Sequence, residues 1–178
     1  ISSLPMLYLG SEPATDAETF LEDAERLLTP AEYGILHAVT PVPRRNVCCE
    51  AERQWRDWET YMRNYLGRER ASMLRRDYVE WQQPEADVFP SYNSALNELL
   101  NMQNPERRER RLDELRWSFL DGVLTGREFS FDVLVVYRLK LYMAEKWAAI
   151  SKERGRKSLD QLVQSVKEEA EERRTAVD

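Results

Sequence analysis

Between Phe131 and Ile150 the chain reads FDVLVVYRLKLYMAEKWAAI, fifteen apolar residues in twenty, with an arginine, two lysines and two acids set among them. No other stretch restricts the fold as much. At 100° per residue Val133, Leu134, Tyr137, Leu141, Ala144 and Ala148 form one apolar stripe. Val136, Leu139, Met143, Trp147 and Ile150 form a second, with Lys140 between the two, and Arg138 and Glu145 project together elsewhere. A helix apolar on two stripes touches neighbours on two or more sides. A membrane span is disfavoured, because each charge near the bilayer centre costs about 2.5 to 3.5 kcal/mol. The segment is therefore predicted to be a buried hub helix, capped by Ser130. Arg138 and Glu145 either reach solvent along their stems or serve a partner interface.

A hub needs partners within the chain, and the composition supplies helices. Hydrophobic residues are 42% and charged residues 33% of 178, with 6 Gly and 8 Pro. A chain of this length buries about 70% of its extended surface without a disulfide or metal. The expectation is an all-α protein, a multi-helix bundle with one long helix and the buried hub. The net charge of −6 disfavours generic binding to nucleic acid or to an anionic bilayer. The two cysteines, Cys48 and Cys49, are neighbours, a spacing too short for an ordinary structural disulfide, so a reducing cytoplasm is expected. The chain begins at Ile1 and shows no signal peptide or lipidation motif.

The punctuation of the chain divides it further. Residues 1–15, interrupted by Pro5, Gly10 and Pro13, read as an extended segment. The tetrads TDAE at 15–18 and TPAE at 29–32 have capping-box spacing, and Pro30 suits the first helical position. They predict short helices over 16–28 and 30–39. After TPVP, with Asn46 as N-cap, Ala51, Trp55, Trp58, Met62 and Tyr65 trace one seam of a long helix. A bend or stop is expected near Gly67, with further helix to Tyr78. WQQPEADVFPSYN, residues 81–93, reads as a linker between an N-terminal helical half (1–80) and a C-terminal half (94–178). That half begins with a short helix over 93–102 and one capped by Asn104 and Pro105 that ends before Gly126. A last helix is expected from Ser158, followed by a tail charged on all faces.

No catalytic or ligand-binding constellation stands out. His37 is the sole histidine, too few for a Glu-x-x-His di-iron site, and His37, Cys48 and Cys49 lack zinc-ligand spacing. The cysteines read as core filling, a slightly lowered thiol pKa being conceivable near a helix start. Six scattered glycines build no phosphate loop. No cofactor, metal or small-molecule substrate is expected, and no enzyme activity. The one notable cluster is NPERRERRLDELRW, where Arg107, Arg108, Arg110 and Arg111 concentrate positive charge on an acidic protein. It reads as a solvated helix face, with Glu106 pairing to Arg110, or as a dock for an acidic protein surface or RNA. Trp55 and Trp58 look like core; Trp81 and Trp117 are candidate interface anchors.

The stretch LRWSFLDGVLTGREFSFDVLVVYRLKLYMAEKW, with the early SSLPML, resembles a small bacterial family encoded among the subunits of V/A-type ATPases. That family is similar to the C (or d) subunit, the all-helical protein that joins the central stalk to the membrane ring. The matching landmarks are Leu4, Pro5, Trp117, Phe119, Leu120, Gly126, Phe129, Tyr137, Leu139 to Leu141 and Trp147, most of them scaffold. This chain is shorter than a C subunit and lacks its repeated helical unit. The resemblance implies a non-enzymatic accessory, assembly or stalk-like role, with V/A-type ATPase subunits as partners and a cytoplasmic place, peripheral to the inner membrane. The partner-binding candidates are Arg107, Arg108, Arg110, Arg111, Trp117, Arg138 and Glu145. An RNA-binding or regulatory module using the arginines is the alternative.

Overall fold

The computed structural model describes residues 4–42, 49–127 and 129–175, with 154 and 157–175 as helical backbone only. Six α-helices follow one another, with no strand among the described residues: α1 (Ala17–Leu27), α2 (Pro30–Ala38), α3 (Glu50–Met73), α4 (Asn93–Asn101), α5 (Pro105–Val123) and α6 (Asp132–Thr175). Two single 3-10 turns, Val79–Trp81 and Pro90–Tyr92, precede α4. The expected all-α bundle is what forms. None of the helices is long and apolar enough, over its described residues, to cross a membrane.

Local chemistry sets the helix starts. At α2 the capping box is complete: the Thr29 hydroxyl accepts from the Glu32 amide, and Glu32 accepts from the Thr29 amide. At α1 the cap is Asp16 rather than Thr15. Its carboxylate accepts from the Thr19 amide at 2.8 Å, Asp being a stronger N-cap than the Thr one residue earlier. Asn104 caps α5 through the amides of Glu106 and Arg107. Two further amides are satisfied from a distance by α6. Asp132 accepts from the Ala51 amide at 3.1 Å and Glu145 from the Ala17 amide at 2.7 Å. The first turns of α3 and α1 are thus closed by carboxylates of the hub helix. Asn46, the expected cap of α3, lies outside the described residues. Ser130 does not cap α6 with its hydroxyl, which donates instead to the Arg127 carbonyl.

The hub is real, and it is wider than two stripes. Val135, Val136, Tyr137, Leu139, Leu141, Met143, Ala144, Trp147 and Ala148 are all buried, and α6 packs on α1, α2, α3 and α5. The long α3 also exceeds its one predicted seam, burying Glu52, Asp57, Glu59 and Asn64 together with its aromatic residues. Trp58 stacks on Phe119 with ring centroids 4.8 Å apart and meets the edge of Tyr92 at 5.4 Å. That aromatic cluster joins α3, α5 and the turn before α4.

Two expected helix boundaries, a bend or stop near Gly67 and a start at Ser158, are not there. α3 runs through Gly67 to Met73. A Cβ at Gly67 would overlap the ring of Tyr78, so the glycine is a notch for the returning chain. α3 ends in a Schellman motif, Arg76 N–H bonding to the Ala71 carbonyl and Arg75 N–H to that of Ser72, with Arg75 itself at φ 53°. Likewise α6 passes through Gly155 and Ser158 without a break, so no separate last helix starts at Ser158. A lone glycine costs about 1 kcal/mol in a helix, too little to end one that is otherwise anchored. Residues 82–85 are fastened to α3 by Asn64, whose side chain donates to the Gln83 carbonyl and Glu85 and accepts from the Gln83 amide.

Candidate functional site

α5 positions charge in two places. Its first turns, lying across α6, form one wall of an open groove of about 440 Å³ lined by Met102, Arg107, Arg110, Arg111, Trp147 and Ile150, with Glu106 and Glu114 among them. Four arginines within five residues cannot all share one direction on a helix, and they divide between the groove and the fold. Arg108 turns back to the end of α4, donating to the Met102 carbonyl through Nε at 3.2 Å and Nη2 at 2.5 Å. Arg110 donates to the Leu9 carbonyl at 2.6 Å and lies 5.0 Å from the centre of the Trp147 ring. It sits so close to Gly10, at φ 95°, that a Cβ there would clash. These two guanidiniums are structural: one completes a helix end, the other seals the N-terminal segment onto the bundle.

Arg107 and Arg111 remain at the groove. Arg107 is exposed and its side chain has no partner among the described residues. Arg111 pairs with Glu114 at 3.2 Å, both sides partly in solvent, an arrangement worth at most about 1 kcal/mol. Arg110 reaches the same Glu114 at 3.8 Å. The groove therefore offers Arg107, and Arg111 held only by a weak surface pair, beside the half-buried Ile150, while Trp147 lies buried beneath Arg110.

The other sequence candidates lie elsewhere. Arg138 is 5% exposed and does not reach solvent. It donates to the Val39 carbonyl at 3.3 Å and the Tyr142 hydroxyl at 2.9 Å, with Nη1 lacking a partner. Glu145 caps α1, as described, so the two charges expected to project together are both tertiary ties. Trp117 is half-buried with Lys140 4.9 Å from its ring centre, whereas Trp81 is exposed. Trp55 and Trp58 are core. His37 is exposed beside Tyr33. Burial, reinforced by nearby carboxylates, pushes the Cys49 thiol up to about 11, the opposite of an activated thiol; Cys48 lies outside the described residues. No group of acids, histidines and cysteines suited to a metal occurs among the described residues.

Sequence reasoning missed the second charged place. Further along α5, Arg116 donates to Glu59 of α3 from Nε at 3.1 Å and Nη2 at 2.7 Å, and to Asp113 from Nη1 at 2.9 Å. Glu59 is 0% and Asp113 1% exposed. Asp113 also accepts from Trp147 Nε1 at 2.8 Å and Lys146 Nζ at 2.5 Å, and Arg63 donates to Glu59 at 2.8 Å. Burial alone would lower the Arg116 pKa, but its bonds to Glu59 and Asp113 outweigh that and raise it. The network borders a cleft of about 260 Å³ between α3, α5 and α6. Its signals, Glu59 with Arg63 and Asp113 with Arg116 at helical spacing, are indistinguishable in sequence from surface pairs.

A family model described as a protein of unknown function (DUF2764) matches residues 71–170. No curated protein and no solved structure matches the chain.

Proposed function

The chain belongs to the DUF2764 family, and on that premise we propose that it is a non-enzymatic accessory subunit of a V/A-type ATPase that binds an acidic protein segment in the arginine groove of α5 and α6. The carrying observation is the pair Arg107 and Arg111, the first unpaired among the described residues and the second in a weak surface pair, while neighbouring arginines are committed to the fold. Guanidiniums at the rim of a groove suit a carboxylate-bearing peptide, because their forks pair with carboxylates directionally and Ile150 adds apolar contact. The resemblance of residues 115–147 to the family encoded with ATPase subunits names the assembly. Buried landmarks such as Leu120, Tyr137, Leu139 and Leu141 belong to the scaffold in this reading, and Trp147 to both scaffold and groove.

RNA is the weaker reading, since two available arginines would neutralise two phosphates and give a shallow salt dependence, about −0.7 in log–log slope per phosphate. The test is purification of the tagged protein from its native cell in mild detergent. Stoichiometric recovery of ATPase stalk and head subunits is expected, falling about tenfold for the Arg107→Glu, Arg111→Glu double variant, as for loss of interface anchors. A coupled, intact ATPase isolated from cells lacking the chain would overturn the proposal, as would recovery of RNA alone.

A further inference from the structure

The first two helices hold the charge imbalance of the whole protein. From Glu12 to Ala38 there are seven acids and one arginine, a net charge of −6 that equals that of the full chain. The rest of the molecule is balanced. Some of these acids are engaged: Asp16 and Glu32 cap helices, Glu12 meets Lys152 and Asp23 meets Arg26. Glu18, Glu22 and Glu25 are exposed on α1, their side chains without partners among the described residues.

Against this acidic surface lies an open apolar groove of about 570 Å³, walled by Leu4, Phe20, Leu27, Leu28, Phe131 and Leu134, with Asp23 and Glu32 in its lining. Leu27 is 83% exposed at its lip. Close by in sequence to lining residues, Met6 and Phe129 are also exposed, at 77% and 89%. A lone exposed leucine needs no explanation, but an exposed leucine on the lip of an apolar groove does.

We infer that this groove docks a basic amphipathic helix of a protein partner, laid with its apolar face on Leu27, Phe131 and Leu134 and its lysines or arginines toward Asp23, Glu32 and the acids of α1. An apolar groove reads side chains at helical spacing. The surrounding field selects the sign of the helix and speeds its encounter. The same field opposes an anionic membrane or nucleic acid, and a second copy would bring the same acidic surface to a two-fold interface. The site is separate from the arginine groove, and either can fail without the other.

The test uses the full-length protein and a labelled Leu/Lys peptide patterned as an amphipathic helix, beside a scrambled peptide of the same composition. Saturable binding about tenfold tighter for the patterned peptide is expected, with a comparable loss on Leu27→Asp, the scale of a single interface anchor. Leu27 is exposed, so the thermal unfolding of that variant should match wild type. Methyl NMR shifts at Leu27, Leu28 and Leu134 of the unmodified protein locate the peptide independently of any variant. Equal binding of the scrambled peptide, shifts away from the groove, or a dimer in solution that Leu27→Asp dissociates would each overturn the inference.

Discussion

Arg116 and Arg107 stand on the same helix, yet one is locked and the other available. Arg116 has 15% of its side chain exposed and is held by Glu59 and Asp113; Arg107 is exposed and its side chain has no partner among the described residues. The difference is register. Arg116 faces α3 and α6, where desolvation demands a full complement of hydrogen bonds, while Arg107 stands a few turns earlier at the rim of a groove. A buried charge network thus fixes how α3, α5 and α6 meet, and the surface arginines are free to meet something else.

The sharpest way to break this contrast is Arg116→Met. Glu59 and Asp113 would keep their burial and lose their shared cation, leaving only the partly exposed Arg63 and Lys146, so about 3 kcal/mol of stability, the low end for a broken buried pair, should disappear, read as a lower urea midpoint. Replacing Glu59 and Asp113 together with Arg116 by apolar residues should recover part of that loss, since Arg63 and Lys146 can turn to solvent and only the Trp147 indole N–H is left without its acceptor. Recovery would show that the network specifies the packing rather than stabilising it. Asp132→Ala comes next. It leaves the Ala51 amide buried without its acceptor and frees Arg127, at a cost of about 1 to 3 kcal/mol. Hydrogen exchange should then rise in the first turn of α3 before it rises elsewhere.

A smaller effect of opposite sign is expected at Arg75. Its φ of 53° occupies the C′ position of a Schellman motif, where glycine is the usual residue because it lacks the clashing Cβ. Arg75→Gly should raise stability by about 0.5 to 1 kcal/mol, partly offset by the greater freedom glycine gives the unfolded chain. A loss of stability would mean that the arginine side chain makes a compensating contact.

The fold was legible where a pattern has one cause. The 131–150 segment could only be a helix buried on several sides, and Thr29, Pro30 and Glu32 could hardly be anything but a helix start. Breaks were harder to read, because a lone glycine such as Gly67 and a capping pattern such as that at Ser158 are weak signals inside an otherwise continuous helix. Gly67 serves Tyr78, a residue eleven positions later, which no local window connects to it. The arginine cluster was visible as charge, but its division into two structural and two available members depends on the Met102 and Leu9 carbonyls, which only the tertiary fold brings near. Arg138 and Glu145 were read as reaching solvent or serving a partner interface, and instead they tie the chain to itself, through Val39, Tyr142 and the α1 amide of Ala17.

The smallest expected effect separates surface from scaffold most cleanly. Arg107→Glu lies away from any described side-chain partner, so global stability should stay within about 0.5 kcal/mol of wild type. The same change adds a negative charge three residues from the N-cap Asn104, in the first turn, where the helix dipole favours it by a few tenths of a kcal/mol. Stability should therefore be unchanged or slightly raised, while recovery of an acidic partner falls. Arg108→Glu is the control one residue on: it removes the donor to the Met102 carbonyl and should cost about 1 to 3 kcal/mol. If the two variants lost stability equally, Arg107 would belong to the scaffold, and the groove would have no available arginine but Arg111.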